Sequence, residues 1–134
     1  MTMLDYLSAH GQVDIMLDAF PYTGGTTTNN AAWMGVPTLT LRGETLAGCQ
    51  GLDIMYTYGL ENFVAFSKDD YVSKAIHWAA HIDELSKIRR DMRSKIPTKQ
   101  GSGFNIAATF EHALRTAWEM YCRGEKPRSF VVDK

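Results

Sequence analysis

The sequence predicts an α/β protein: a partial Rossmann-like, three-layer domain in which a short parallel sheet is flanked by helices. Three observations predict it. Short apolar runs alternate with longer amphipathic ones, the pattern of strands joined by helical crossovers. A turn dense in glycine and threonine, "FPYTGGTTTNN" (20–30), separates the first apolar run from the first of those helices. Only three strand-like runs are present, against three helical segments toward the C-terminal end. So small a sheet under so many helices reads as part of something larger.

Each element follows from its residues. "VDIMLDAF" (13–20) is short, apolar in the middle and ended by Pro21, a buried strand. "TTTNNAAWMG" (26–35) is a short helix, with Gly25 or Thr26 to cap it and Gly35 to end it. "VPTLTL" (36–41) is a second strand, with Pro37 tolerated near its start. "ETLAGCQGLDIMYTYG" (44–59) is a helix weakened by Gly48 and Gly51 and stopped at Gly59. "NFVAF" (62–66) is a third strand. Ser67 followed by Asp70 opens a helix over 67–81 with Val72, Ile76 and Ala79 or Ala80 at helical spacing. A charged helix over 82–96 is expected to end before Pro97, and "PTKQGSG" (97–103) to form a loop. The last helix, 104–124, carries Phe104, Ala107, Phe110, Leu114, Trp118 and Tyr121 on one side, and an irregular tail follows from Glu125. Trp33, Phe110, Trp118 and Tyr121 are expected in the core. Residues 1–134 read as a single domain.

Composition narrows the function. A chain of 134 residues, 45% hydrophobic, can bury one core, and a formal charge of −1 gives no footprint for nucleic acid or an anionic membrane. The basic run "KIRRDMRSK" (87–95) is interleaved with acids and reads as a solvated helix face. Cys49 and Cys122 match no zinc or redox spacing, and two thiols without a secretion signal suit the cytoplasm. No apolar run approaches the ~20 residues of a membrane span.

The glycine–threonine turn carries the chemistry. A strand ending near Asp18 is followed by a helix start, which leaves backbone N–H groups unpartnered at the positive end of a dipole. Gly24 and Gly25 let an anion approach the backbone, and Thr26, Thr27 and Thr28 add hydroxyl donors. A seat for diphosphate results, with a well-capped turn as the plainer alternative. No Lys follows the glycines and no G-x-G-x-x-G is present, so triphosphatase chemistry and NAD binding rank low. By the switch-point rule Arg42, Glu44 and Thr45, after the second strand, border the same crevice. Glu44 could then lie near a sugar, with helix capping by Glu44 or Thr45 as the alternative.

The run "VDIMLDAFPYTGGTTTNNAAWMGVPTLTLRGETLAG" resembles the C-terminal catalytic region of O-linked N-acetylglucosamine transferases. It is especially similar to bacterial tetratricopeptide-repeat, SPINDLY-type relatives. The likeness continues through "YGLENFVAFSKDDYVSKA" and "FEHALRTAWEMYCRGEKP", and covers the chain from about Tyr6 onward. The resemblance implies the C-terminal half of a GT-B glycosyltransferase, whose donor-binding part holds UDP-N-acetylglucosamine. It implies that Gly25, Thr26 and Thr27 lie against the diphosphate and Asn30 meets the ribose, where the family has an acid. It implies no metal cofactor, the helix dipole and side chains taking the charge of the departing UDP. Cys49 stands where the family pattern has arginine. The family's diphosphate lysine, its acceptor-side half and its superhelical repeats, which would grip a protein acceptor, lie upstream of the positions covered here. Transfer is therefore not expected from these 134 residues alone, and no catalytic residue is assigned.

Other features are weaker. His77 and His81 in "HWAAH" sit one turn apart, but Trp78 stands where a zinc-protease helix has its general base, so no metal site is expected. His10 and His112 could act only if they lined the cleft. An apolar seam on the last helix could close by self-association into a homo-oligomer. Two rival readings stand beside the donor-binding one: a non-catalytic interaction domain, favoured by Asn30 and Cys49, and a module for another phosphate-bearing anion.

Overall fold

In the computed structural model, which describes residues 2–99 and 103–132, three short strands form one parallel sheet in sequence order. They are β1 (Met16–Leu17), β2 (Thr38–Leu41) and β3 (Val64–Ala65). Met16 pairs with Thr38, Leu17 with Leu39, Thr40 with Val64 and Leu41 with Ala65. β2 has a neighbour on each side, so Thr38, Leu39 and Thr40 are fully buried. The helices are α1 (Met3–Ala9), α2 (Thr26–Trp33), α3 (Leu46–Thr57), α4 (Lys68–Ala80), α5 (Ile82–Lys99) and α6 (Gly103–Cys122). The chain divides into two compact units, Met1–Lys99 and Gln100–Lys134.

Within the first unit the helix ends are set locally. Gly35 and Gly59 adopt φ of +76° and +68°, the left-handed region that glycine occupies without steric cost. Around Gly59 the Leu60 amide donates to Met55 O (2.8 Å) and the Gly59 amide to Tyr56 O (3.1 Å), which satisfies carbonyls that α3 would otherwise leave open. At its start, the Thr45 hydroxyl accepts from the Gly48 amide at 3.1 Å. Ser67 caps α4 by accepting from the Asp70 amide, while the Asp70 carboxylate reaches back to the Phe66 amide. The core gathers Ala32, Met55, Phe63, Val64, Trp78, Leu85 and Met92, with Phe63 and Trp78 stacked at 4.5 Å.

Several expectations are corrected. The α5 helix does not stop before Pro97 but runs to Lys99. A proline in a last turn forfeits a single amide bond, and the helix absorbs that loss. The expected loop over 97–103 is thus helical at 97–99 and at 103, and 100–102 lie outside the described residues. On α4, Val72 and Ile76 are 55% and 66% exposed. The inward face is instead Tyr71, Ala75 and Trp78, an equally regular spacing that the choice of the most aliphatic residues overlooked. Trp33 is exposed as well. α1 was not expected: it buries no residue and so shows no apolar stripe, and its signal is the capping box between Thr2 and Asp5.

The second unit is α6 followed by an irregular tail. Its helix ends at Cys122 and is closed off at Gly124 (φ +70°), with the Glu125 amide donating to Met120 O at 3.1 Å. Phe110, Leu114, Trp118 and Tyr121 are exposed, where core positions were expected for the three aromatic residues. The side chain of Phe104 lies outside what is described. No helix among the described residues is long and apolar enough to cross a membrane.

Candidate functional site

The chain leaves β1 at Asp18, and that residue organises everything after it. Its amide continues the sheet by donating to Leu39 O at 2.9 Å. Its half-buried carboxylate accepts from the Gly24 amide through Oδ1 and from the Thr40 hydroxyl through Oδ2, each at 2.8 Å. Its carbonyl accepts from the Tyr71 hydroxyl of α4 at 3.1 Å. Burial raises the Tyr71 phenol above its ordinary value, and the Asp18 charge adds to the effect. Hydrogen bonds to an ionised acceptor are stronger than neutral ones, so this carboxylate closes the loop 18–24 firmly.

A second anchor lies five residues on. Thr23 is fully buried, donates its hydroxyl to Ala47 O at 3.0 Å and accepts from the Gly51 amide at 3.1 Å. It ties the first loop to the start of α3. The approach is close because α3 carries glycine where it touches: a Cβ on Gly48 would stand 3.0 Å from Pro21 O, and one on Gly51 would stand 2.5 Å from Asp18 Oδ2. The Phe20–Pro21 peptide bond is cis. The glycines that weaken α3 as a helix therefore serve its packing.

These anchors present the start of α2. Gly25 is its N-cap and no side chain caps the helix. The first amide to bond within the helix is that of Asn29, to Gly25 O at 3.0 Å, so the amides of Thr26, Thr27 and Thr28 precede the ladder. Thr26 and Thr27 are exposed and Asn30 is half-buried. Spacings of three and four residues set Asn30 on the same helix face as Thr27 and Thr26. Gly24 and Gly25 are half-buried at the turn. Thr28 is different: it is 1% exposed and its hydroxyl lies where a Cβ of Gly24 would stand, so it shapes the turn from inside.

The second loop comes to the same edge. The Arg42 amide donates to Ala65 O at 2.9 Å, and Gly43 and Gly48 pack backbone against backbone. Arg42 and Glu44 are exposed there, and Thr45, not Glu44, caps α3. The Cys49 thiol donates to Gly43 O at 3.1 Å, bracing this loop. Asp18, Thr23 and Gln50 carry or touch the site and were not singled out from sequence. The signal for Asp18 was available, an acid at the end of the first predicted strand, although that strand is not buried as expected: it lies at the sheet edge, and Leu17 is 59% exposed.

His10 is buried, with Nδ1 against the carbonyls of Tyr6 and Leu7 at 3.1 and 3.2 Å. His77 and His81 are exposed and stack on each other at 4.2 Å, and His112 is exposed on α6. Among the described residues no three of His, Cys, Asp and Glu cluster as metal ligands would.

Comparison with known proteins finds a match to the model of glycosyl transferase family 41 over residues 8–109. A Solanum lycopersicum protein named "Probable UDP-N-acetylglucosamine--peptide N-acetylglucosaminyltransferase SPINDLY" is 40% identical over 92% of this chain, and its Arabidopsis thaliana namesake is 38% identical over the same share. The chain spans only 13% and 14% of those two relatives. A solved structure, of a point mutant of the Thermobaculum terrenum O-GlcNAc transferase, superposes with a TM-score of 0.83 at 29% identity, over 92% of this chain and 24% of that one.

Proposed function

The chain belongs to glycosyl transferase family 41, and from that premise we propose that its loop 18–30 seats the diphosphate of a nucleotide-sugar donor. The α/β fold is part of the GT-B architecture of the O-GlcNAc transferases. In this reading the donor is UDP-N-acetylglucosamine. Within a longer enzyme, a Ser or Thr hydroxyl of a protein acceptor attacks the anomeric carbon. The bond from that carbon to the β-phosphate oxygen breaks, UDP leaves with the electron pair, and the proton of the attacking hydroxyl is lost to solvent.

The observation that carries the reading is the uncapped first turn of α2, held in place by Asp18 and Thr23 at the carboxyl edge of the sheet. Charge grows on the leaving diphosphate as the bond breaks. Fixed amides at a helix start, with the hydroxyls of Thr26 and Thr27, meet that charge without reorganising and without a metal ion. Gly24 and Gly25 keep the approach open. Asn30, one turn on, takes the ribose hydroxyls as a neutral partner, and Glu44 on the neighbouring loop is the candidate for the sugar. Cys49, spent on bracing its own loop, offers no charge. The isolated chain binds donor but does not transfer. Its two free thiols fit a cytoplasmic setting.

An amide-shift titration of the chain with UDP tests this, with UMP and inorganic phosphate as controls. Saturable shifts centred on Gly24 to Asn30, stronger for UDP than for phosphate, are expected. Equal response to phosphate would replace the donor with a general anion. No response at millimolar UDP would favour an interaction domain that keeps the fold alone.

A further inference from the structure

The basic run "KIRRDMRSK" (87–95) enters no part of the site described above. One turn of α5 nevertheless does more than face water. Ser86, Arg89 and Arg90 line an open pocket of about 290 Å³, whose other walls are Met34 and Gly35 at the end of α2. Spacings of three and four residues set Arg89 and Arg90 on the same helix face as Ser86.

Arg89 is pinned in this pocket. Its Nε donates to Gly35 O at 3.1 Å and its Nη1 to the Asp14 carboxylate. A guanidinium is a planar fork with five N–H donors, so two fixed bonds also fix the direction of its third nitrogen. That nitrogen, Nη2, has no partner among the described residues, and neither the Ser86 hydroxyl nor the Arg90 guanidinium has one there. Asp14 balances the charge of Arg89, whereas that of Arg90 is left over, and the adjoining Lys87 is a further exposed cation. No carboxylate lines the pocket among the described residues.

We propose that this pocket is a second anion site, one that takes a soluble phosphomonoester, with Ser86 and Arg90 as its ligands and Arg89 as a fixed donor. Donors from three side chains within one helical turn suit a tetrahedral group that offers three oxygens, where a planar carboxylate offers two. A formal charge of −1 gives the chain no pull toward an anionic membrane, which favours a soluble bearer of the phosphate. The site is independent of loop 18–30: it lies at the other end of the eight-residue α2, about 12 Å away by helical rise.

The test is a titration of the chain with O-phosphoserine and with inorganic phosphate, following backbone amides and arginine Nε–H resonances. Acetate and chloride at matched ionic strength are the controls. Saturable shifts at Ser86 to Arg90 and at the Arg89 Nε–H are expected with both phosphates and not with the controls. Arg90→Gln is expected to weaken binding about fivefold and Ser86→Ala about threefold, the worth of an exposed ion pair and of one neutral hydrogen bond. Both positions are exposed, and amide dispersion checks that each variant folds. Lys68→Gln, which removes a cation at the start of α4, should leave the affinity within about 1.5-fold of wild type. Any response at Gly24 to Asn30 in the same spectra belongs to the other site and should be unmoved by Arg90→Gln. Wild-type affinity in Arg90→Gln would overturn the site, and so would equal shifts with acetate or chloride, the behaviour of a merely screened basic surface. Binding to phosphatidic-acid vesicles with none to phosphoserine would overturn the soluble ligand.

Discussion

Replacing Gly51 by alanine sets two known effects against each other. In an unencumbered helix interior, Gly→Ala stabilises by about 1 kcal/mol. Here the new Cβ would stand 2.5 Å from Asp18 Oδ2 and 3.0 Å from Thr40 Cβ, and closer still to the Thr40 hydroxyl. Neither neighbour is a free flexible end, because Thr40 is fully buried and the two are bonded to each other at 2.8 Å. Overpacking of this kind costs about 1–3 kcal/mol, and loss of a hydrogen bond to a charged acceptor about 1.5–3 kcal/mol. Set against the propensity gain, the net is a destabilisation of about 1.5–5 kcal/mol, and roughly 2 kcal/mol where Asp18 and Thr40 keep part of their bond. With a urea slope near the low end of the usual ~1–3 kcal/mol/M, the midpoint should fall by about 1–2 M. Urea unfolding followed through the indole resonance of Trp78, 3% exposed, reads the first unit directly. Gly11→Ala is the control, since nothing lies within 4 Å of its would-be Cβ. A Gly51→Ala variant as stable as wild type, or more stable, would refute the packing argument.

Three further outcomes follow from the same geometry. Asp18→Ala strands the Gly24 amide and the Thr40 hydroxyl, and should cost about 2–3 kcal/mol in urea unfolding. A double-mutant cycle with Thr40→Val should return a coupling of about 1–2 kcal/mol, and strict additivity would count against the shared bond. Gly35→Ala forces a side chain into φ +76° and sets a Cβ 3.3 Å from Arg89 O, so a loss of about 1–2 kcal/mol is expected, with Gly35→Asn milder. The Asp70 carboxylate is held below its ordinary 3.8, first by the Phe66 amide and then by Lys74. A depressed folded pKa gives stability that is present above 3.8 and lost as pH falls through the lower folded value. Asp70→Asn should therefore flatten the acid side of the stability profile below about pH 4, and an unchanged slope there would exclude the capping contribution.

What the sequence disclosed depended on the range of the interaction. The helix start at Gly25 and Thr26, the stops at Gly35 and Gly59 and the Ser67 cap are settled within a few residues, and each was legible. The strands were found but overlong, because apolar character runs past the pairing, which is confined to two or four residues. Asp18 was seen only as the end of a strand, since its partners Gly24, Thr40 and Tyr71 are 6, 22 and 53 residues away. Thr23 was hidden for the same reason, its partners Ala47 and Gly51 lying 24 and 28 residues on, in a helix whose glycines looked like defects. On α6 the amphipathic stripe was read correctly as apolar but wrongly as core. Periodicity tells which residues share a face, and nothing about whether that face is covered.

The crowding of Asp18, Thr40 and Gly51 also bears on how such a chain can change over generations. The three positions occupy one volume from three separate elements, so none can grow by itself. A sequence that acquires alanine at 51 can keep this loop only if position 40 gives up its branched hydroxyl. That second change would leave the Asp18 carboxylate with a single partner, the Gly24 amide. The shortest viable paths are therefore paired substitutions, and any lineage that preserves the loop inherits its three residues as one trait.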